Sequence, residues 1–274
     1  MGIFDGKVAM VTGSGRGIGR ALAEKFAREG ARLVINDLDE APAAEAVEAM
    51  QALGAEAVAC VGSVTESDFP DRFVNTAVEN FGVPDIIINN AGYTWDNVIQ
   101  KMTDEQFRDI LEVHLVAPFR IMRAAGDVIR EAAKKEIGSG NPVHRKVVNI
   151  SSVSGVYGNA GQANYSSAKA GIVGLTKALA KEWGRYNVNV NSVAFGLVST
   201  RLTQALDDEG ASINIEGREI AVGVQRKRLQ AADMMIPLGH AGTTEEAAGA
   251  IYILCLPEAN YVSGQLLICD GGGR

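Results

Sequence analysis

The sequence has few of the residues that disulfide frameworks and metal sites need. It contains three cysteines, Cys60, Cys255 and Cys269, which lie far apart along the chain. Disulfide scaffolds and zinc sites use cysteines at short, recurring spacings. The three histidines, His114, His144 and His240, show no ligand spacing with the cysteines or with one another. We therefore expect buried free thiols in a reducing cytoplasm and no metal site.

Positive charge and long hydrophobic runs are also scarce. The net charge is −7 and the sequence pI is about 5.1, which argues against a nucleic-acid-binding surface. No apolar run approaches the roughly 18–20 residues that span a bilayer. The first residues lack the basic region followed by an apolar region that marks a secretory signal. These features predict a cytoplasmic protein that binds neither nucleic acid nor membrane.

Short apolar segments alternate with amphipathic ones along nearly all of the 274 residues. The predicted strands are Lys7–Thr12, Arg32–Asp37, Ala57–Val61, Asp85–Asn89, Lys146–Ser151, Val188–Ala194 and Leu266–Cys269. The predicted helices are Ile18–Glu29, Glu40–Leu53, Glu66–Phe81, Asp104–Lys135, Ala163–Tyr186 and Thr244–Leu256. Nearly continuous apolar strands separated by helices are typical of a parallel sheet covered on both faces. We predict one α/β domain over residues 1–274, a doubly wound Rossmann-type fold with a seven-stranded parallel sheet.

Two stretches interrupt this alternation. Gly138–Pro142 is rich in turn residues and predicts a surface loop. Arg201–His240 is long and partly polar, and its pattern suggests a hairpin turning near Glu216-Gly217, followed by a helix over Arg226–Met235. Long insertions beside a ligand crevice often act as lids, so we expect a lid near residues 201–236.

A glycine-rich turn joins the first predicted strand to the first helix. Gly13, Gly17 and Gly19 permit a tight turn, a close approach of backbone to pyrophosphate and close helix–strand packing. The helix N-terminus then offers unpaired N–H groups to phosphates. An ordinary glycine-rich turn is the alternative, but the order strand, glycines, helix favours a dinucleotide site.

Asp37 at the end of the second predicted strand bears on the choice of dinucleotide. A carboxylate there accepts hydrogen bonds from the adenosine ribose and repels a 2′-phosphate, so NAD is expected and NADP is the less favoured cofactor. Asp37 and Asp39 also precede a helix, where they could serve as N-caps. Arg16 in the phosphate loop is the counter-argument, because a cation there could bind a 2′-phosphate.

Tyr165 and Lys169 lie four residues apart at the start of a predicted helix, which places both side chains on one face. A free phenol has a pKa of about 10, too high for acid–base catalysis near neutral pH. A nearby ammonium favours the phenolate and moves the phenol towards the working pH. Ser152 directly follows the fifth predicted strand, where its hydroxyl can hydrogen-bond a substrate carbonyl.

These motifs together resemble the short-chain dehydrogenase/reductase family, along essentially the whole chain. The matching motifs are Thr12-Gly13 with Gly17-Ile18-Gly19, Asn89-Asn90-Ala91-Gly92, Ser152, and Tyr165 with Lys169. The resemblance implies that Tyr165 is the general acid/base and that Lys169 lowers its pKa and holds the nicotinamide ribose. It also implies that Ser152 orients the reacting oxygen and that Thr200 meets the nicotinamide carboxamide. The cofactor-binding residues it implies are Gly13, Ser14, Arg16, Gly17, Ile18, Gly19, Asp37, Ser63, Val64, Asn89, Ala91, Gly92, Tyr165, Lys169, Gly196, Val198 and Thr200.

Three positions depart from the family pattern. His114 stands where the family usually has a catalytic asparagine that anchors a water of the proton relay. Histidine also donates and accepts hydrogen bonds, so His114 is a fourth candidate catalytic residue; the alternative is a helix histidine satisfied by backbone or tyrosine contacts. Phe195 replaces a proline after the sixth strand, and Ser63 replaces an aspartate after the third. None of these changes removes the hydride chemistry.

The resemblance is narrower around the catalytic tyrosine. Residues 158–165 are similar to the active-site approach of 3-oxoacyl-acyl-carrier-protein reductases and, with Asn36–Leu38 and Val113–Leu115, to (3R)-hydroxyacyl-CoA dehydrogenases. An acyl thioester substrate is therefore implied, with a steroid, sugar or terpenoid alcohol as the alternative and a non-catalytic dinucleotide sensor as a remote one. The resemblance also implies a homotetramer, in which the two long helices Asp104–Lys135 and Ala163–Tyr186 pair across a two-fold axis and the strand Leu266–Cys269 lies at a second interface. A cluster of cations either docks an acidic carrier or is a solvated helix face: Arg120, Arg123, Arg130, Lys134, Lys135, Arg145 and Lys146.

Overall fold

The strands and helices of the computed structural model alternate as the sequence predicts. The structure describes residues 2–200, 205–206, 211–215, 217–222, 224–225 and 235–273. The strands in chain order are β1 (Val8–Val11), β2 (Arg32–Ile35), β3 (Ala57–Ala59), β4 (Ile86–Asn89), β5 (Arg145–Ser152), β6 (Val188–Phe195), β7 (Ala205–Leu206), β8 (Ala211–Ile215), β9 (Arg218–Val222), β10 (Val224–Gln225) and β11 (Leu266–Cys269). The α-helices are α1 (Gly17–Arg28), α2 (Glu40–Ala52), α3 (Phe69–Asn80), α4 (Asp104–Leu111), α5 (Ala117–Gly138), α6 (Val153–Tyr157), α7 (Ala163–Trp183) and α8 (Thr244–Cys255).

Seven of these strands form one parallel sheet in the order β3-β2-β1-β4-β5-β6-β11, which confirms the predicted fold class. The strands β1, β4, β5 and β6 are buried along their whole length, as expected for apolar strands covered on both faces. The strand order reverses between β1 and β4. In a doubly wound sheet this reversal opens a crevice at the carboxyl ends of the strands, where ligands bind.

A hydrophobic cluster covers each face of the sheet. On one face, α1 packs against α8, and three aromatic rings join them: Phe4 meets Phe26 and Tyr252 edge-on, with ring centroids 5.1 and 5.4 Å apart. On the other face, Phe69 and Phe73 of α3 stack at 5.3 Å and pack with residues of α5. Helices are thus packed on both faces of the sheet.

The structure corrects the predicted boundaries in three places. The helix predicted over Asp104–Lys135 is divided into α4, a π-helical turn at Glu112–Val116, and α5, which continues to Gly138 and shortens the predicted loop. The short helix α6 was not predicted. In the insertion, β8 and β9 form the expected antiparallel hairpin with Gly217 in its turn. The helix predicted over Arg226–Met235 falls, except for Met235 itself, outside the residues that the structure describes.

Among the helices in the described part of the chain, none has the length and hydropathy to cross a membrane.

Candidate active site

The phosphate loop is shaped by glycines that no larger residue could replace. Gly13 and Gly17 have φ angles of 61° and 60°, in the left-handed region. A Cβ at Gly19 would collide with the carbonyl oxygen of Gly13. The helix α1 begins here, and its N-cap residue Arg16 makes no side-chain hydrogen bond to the N–H groups of the first turn. This cradle fits the pyrophosphate of a dinucleotide.

Two amides that the sequence analysis did not assign hold the loop in place. Asn36 accepts a hydrogen bond from the Gly13 amide (3.1 Å) and donates to the carbonyls of Cys60 and Gly62. Asn90 donates to the carbonyls of Thr12 and Gly13, at 2.9 and 3.1 Å. Both residues directly follow strands at the carboxyl edge of the sheet. That position in the sequence is the signal from which a role at the site could have been predicted.

Asp37 lies against the phosphate loop. It is 8% exposed, and a Cβ at Gly15 would collide with its carboxylate. Arg16 lies 3.6 Å from a carboxylate oxygen of Asp37 and 2.7 Å from one of Asp39. The guanidinium therefore faces two carboxylates, and the local charge is negative. Asp39 occupies the N-cap position of α2 but makes no side-chain capping hydrogen bond.

The residues expected around the adenine follow β3. Ser63 exchanges a hydrogen bond of 2.7 Å with the hydroxyl of Thr65 and accepts another from the Thr65 amide. Val64 is buried at 7% exposure. Both lie on the same edge of the sheet as Asp37, because β3 pairs with β2 in parallel register.

Asn89 ends β4 in the middle of the crevice. It donates to Asn149 of β5 at 2.7 Å, and Asn149 donates to Thr176 of α7 at 2.9 Å. The amides of Asn90 and Ala91 both bind the hydroxyl of Thr12, at 2.9 and 3.0 Å. These bonds fix the Asn89–Gly92 segment beside the phosphate loop.

Ser152, Tyr165 and Lys169 converge at the end of β5. Lys169 is buried and donates to the Ile150 carbonyl at 2.7 Å, while its Nζ lies 5.5 Å from the centre of the Tyr165 ring. The Ser152 hydroxyl is close enough to the Tyr165 phenol to affect its pKa, and it accepts a hydrogen bond from the Ser154 amide at 3.1 Å. The three candidate catalytic groups are thus brought together.

Burial dominates the protonation of this cluster. Tyr165 keeps part of its surface open to the cleft, but desolvation of its hydroxyl raises its pKa to about 12, against the opposing effect of the Ser152 hydrogen bond. Desolvation likewise lowers the pKa of Lys169 to about 7. The expected lowering of the phenol pKa by Lys169 is therefore not what this arrangement gives. The phenol stays protonated, as a proton donor requires.

His114 lies in the π-helical turn and contacts Tyr165, the candidate catalytic tyrosine. Its ring meets the Tyr165 ring edge-on at 5.1 Å, and its Nε2 lies 2.7 Å from the Tyr93 carbonyl oxygen. A Cβ at Gly92 would collide with the imidazole. The structure therefore joins the fourth candidate catalytic residue to the other three.

A network of side-chain amides that the sequence did not predict holds the start of α7 beside the candidate catalytic residues. Asn164 is fully buried and donates to the carbonyls of Trp95 and Gln106, both at 3.0 Å. Gln162 donates to Asp96 at 2.7 Å and accepts from Ser154 at 2.9 Å. These bonds tie the start of α7 to the loop that precedes α4.

The remaining expected cofactor residues follow β6. Gly196 packs against Asp270 so closely that a Cβ would collide with it. Phe195, in place of the family's proline, is buried, and its carbonyl accepts a hydrogen bond of 3.4 Å from Ser152. Val198 forms a parallel bridge with Gly242, and Thr200 is the last described residue before the insertion.

The basic cluster is largely paired with acidic neighbours. Arg120 contacts Glu112 at 2.6 Å, and Arg145 is buried in a bidentate ion pair with Glu136. Arg130 and Lys134 pair with acidic residues of their own helix. Lys146 is buried and donates to Asn189 and Asn260. Such pairing favours a solvated helix face over a carrier-docking patch.

No group of three histidine, cysteine or acidic side chains is arranged to hold a metal ion in the part of the chain that the structure describes.

A comparison with family models agrees with this geometry. The model described as short chain dehydrogenase matches residues 7–211. The chain belongs to the short-chain dehydrogenase family. This short-chain dehydrogenase is an oxidoreductase that interconverts a carbonyl and an alcohol with a nicotinamide dinucleotide.

Curated relatives extend the likeness over nearly the whole chain. The dehydrogenase is 37% identical to proteins named 3-oxoacyl-[acyl-carrier-protein] reductase from Vibrio cholerae and Escherichia coli, over 98% of each chain. It is 34% identical to a protein of the same name from Thermotoga maritima, again over 98% of both chains.

Proposed function

We propose that this short-chain dehydrogenase reduces the 3-oxo group of an acyl thioester, carried on acyl carrier protein or CoA, to the 3-hydroxy compound. The observation that carries the proposal is the likeness to 3-oxoacyl-[acyl-carrier-protein] reductases over 98% of both chains. Residues 158–165, which lead into the candidate catalytic tyrosine, lie within that likeness. The reaction is one of fatty-acid metabolism.

The cluster at the end of β5 supplies the proton chemistry of this reaction. The bound nicotinamide supplies the hydride that adds to the carbonyl carbon. Tyr165 donates its hydroxyl proton to the carbonyl oxygen, and the phenol carries that proton at neutral pH because burial raises its pKa to about 12. General acids work best with a pKa near the working pH, so the raised pKa of Tyr165 does not itself assist the transfer. Ser152, whose hydroxyl lies near the Tyr165 phenol, orients the same oxygen. Lys169 lies beside the phenol and can hold the nicotinamide ribose.

The phosphate loop and the polar residues after β2 to β6 would hold the dinucleotide. The pyrophosphate fits the cradle at Gly13–Gly19, where the N-terminus of α1 lacks a side-chain cap. We infer a preference for NAD(H) over NADP(H). Asp37 is buried against the loop, and Arg16 is already paired with Asp37 and Asp39, so a 2′-phosphate would meet net negative charge.

A substrate panel tests the proposed reaction. NADH oxidation is measured with acetoacetyl-CoA and a longer 3-oxoacyl thioester, and with cyclic ketones and sugars as comparators. The proposal expects the thioesters to give the higher kcat/KM. If they react no faster than the comparators, the thioester assignment fails while the family membership stands, and the steroid, sugar or terpenoid alcohols become the substrates to examine.

We further propose a homotetramer. The two long helices α5 and α7 would pair across one two-fold axis, and the exposed Phe119 of α5 offers an apolar contact there. The strand β11 lies at the edge of the sheet, with its outer edge available to a second interface. Light scattering at micromolar concentration tests this assembly, and a monomer would contradict it.

A further inference from the structure

His114 makes contacts that neither the hydride transfer nor the proton transfer uses. Its side chain is 4% exposed and is held on three sides, by Gly92, by the Tyr93 carbonyl and by the edge of the Tyr165 ring. It sits in a π-helical turn. Such turns are rare in proteins, and those that occur are frequently found at functional sites. The position of the imidazole is therefore closely defined.

The contacts also define which nitrogen carries the proton. A carbonyl oxygen only accepts hydrogen bonds, so Nε2 at 2.7 Å from the Tyr93 oxygen must be the protonated nitrogen. Burial, and next the nearby Lys169 ammonium, hold the pKa of His114 well below its ordinary value, so the ring is neutral. The Nδ1 atom then carries a lone pair and no proton.

This lone pair is buried without a hydrogen-bond partner among the described residues. Leaving a buried acceptor without a donor costs free energy, and native proteins retain few such groups. A leucine or phenylalanine at position 114 would fill much of the same space without this cost. The orphan acceptor therefore points to a donor that completes it.

We propose that His114 Nδ1 is the acceptor for one hydrogen-bond donor in the active site, and that His114 is a positioning residue for Tyr165. The donor is an O–H or N–H group, from an ordered water or from the bound dinucleotide. With this bond made, the imidazole is fixed at both nitrogens, and its edge contact holds the phenol in line with the substrate oxygen. The inference rests on the proposed role of Tyr165 and is independent of the thioester assignment.

Nitrogen-15 NMR of the histidines, assigned with a His114→Asn variant, tests the acceptor without any turnover. We expect a neutral ring protonated at Nε2, with the Nδ1 resonance shifted by hydrogen bonding. A shift present in both the cofactor-free and the NADH-bound enzyme assigns the donor to water, and a shift only with NADH assigns it to the dinucleotide. An Nδ1-protonated ring, or an unshifted Nδ1 in both states, overturns the proposal.

Two substitutions separate the two nitrogens in catalysis. In His114→Asn the side-chain oxygen can take the place of Nδ1, whereas in His114→Gln the amide nitrogen can take the place of Nε2 and the Nδ1 acceptor is lost. We expect the glutamine variant to lose at least about tenfold more kcat than the asparagine variant. The KM for NADH should be unchanged in both variants where the NMR shift assigns the donor to water, and should rise in the glutamine variant alone where it assigns the donor to the dinucleotide. Equal kcat values, or the reverse order, in two folded variants would contradict a role for Nδ1. Loss of activity in Tyr165→Phe is measured separately, so failure of the proposed function is distinguishable.

Discussion

The two sides of the cleft are held by different kinds of contact. On the cofactor side, glycines and the side-chain amides of buried Asn36 and half-buried Asn90 fix the phosphate loop through hydrogen bonds to its main chain. On the substrate side, Arg218 at the turn of the β8–β9 hairpin bonds to Asp109, lies 3.4 Å from Glu105 and faces the Trp95 ring. Buried main-chain bonds leave little freedom, whereas exposed ion pairs contribute little each and open readily. The phosphate-loop side of the cleft is thus held firmly, whereas the β8–β9 hairpin on the other side is held by weak contacts through Arg218.

The largest effect is expected at Tyr165, where the two sides meet. Replacing Tyr165 by Phe removes the proton donor and keeps the ring, so kcat should fall by about 10²–10⁴-fold while NADH binding changes little. Fluorescence titration of NADH and steady-state kinetics measure the two quantities. A variant with more than about a tenth of the wild-type kcat would remove Tyr165 from the mechanism.

Adding a side chain to a glycine of the phosphate loop should weaken binding of the cofactor. In Gly19→Ala the methyl group would meet backbone atoms of Gly13 and Ser14, which cannot move aside cheaply. We expect NADH affinity to fall more than tenfold and stability to fall by about 1–3 kcal/mol. The matched control is Gly249→Ala in α8, where nothing lies near the added methyl group; it should stabilise by about 0.5–1 kcal/mol. Equal affinities in the two variants would show that the cradle is not rigid.

The charge of the cradle should decide between the two dinucleotides. Asp37→Ser removes the buried carboxylate and leaves Arg16 paired with Asp39 alone, so a 2′-phosphate meets less negative charge and the kcat/KM ratio of NADPH to NADH should rise by about tenfold. Asp39→Ser is the control, because Asp39 is more exposed and pairs with the same arginine. A wild-type enzyme that prefers NADPH would show that Arg16 outweighs Asp37.

The smallest effect is expected at the β8–β9 hairpin of the substrate side. Arg218→Gln removes the contacts to Asp109 and Glu105, so the KM for substrate should rise by about two- to fivefold with kcat and the KM for NADH unchanged. Arg108→Gln is the matched control, because Arg108 pairs with Asp104 of its own helix, at 2.8 Å, and this ion pair does not involve the hairpin. Identical KM values in both variants would mean that the hairpin does not close on the substrate, and a large loss of NADH binding would mean that the two sides are not independent.

The fold could be predicted from the sequence because its signals are local. Apolar runs of strand length, the glycines before α1 and the Tyr165–Lys169 spacing each lie within a few residues of one another. They place the cofactor cradle and the catalytic pair at the carboxyl edge of the sheet. The predicted roles of the site residues remain predictions.

The features that the sequence did not predict depend on contacts between segments that lie far apart along the chain. The partners of Asn36, Gln162 and Asn164 lie in other loops, and no local pattern names them. The raised pKa of Tyr165 follows from burial, which spacing to Lys169 does not reveal. The π-helical turn inserts one residue into a helical pattern whose periodicity hardly changes. Pairing of the basic cluster also needed the three-dimensional neighbours of Arg120 and Arg145.

The packing of α1 on α8 has a consequence for the order of events during synthesis. The helix that presents the phosphate loop rests through Phe26 on Tyr252, a residue made after nearly all the others. A nascent chain that has completed β1, α1 and β2 therefore carries every glycine of the cradle but not the surface that supports it. Domains fold as units as the chain emerges, and incomplete ones expose apolar surface. We therefore expect cofactor binding to require α8 in place beside α1, so that the dinucleotide stabilises the packed pair of helices and not the amino-terminal part alone.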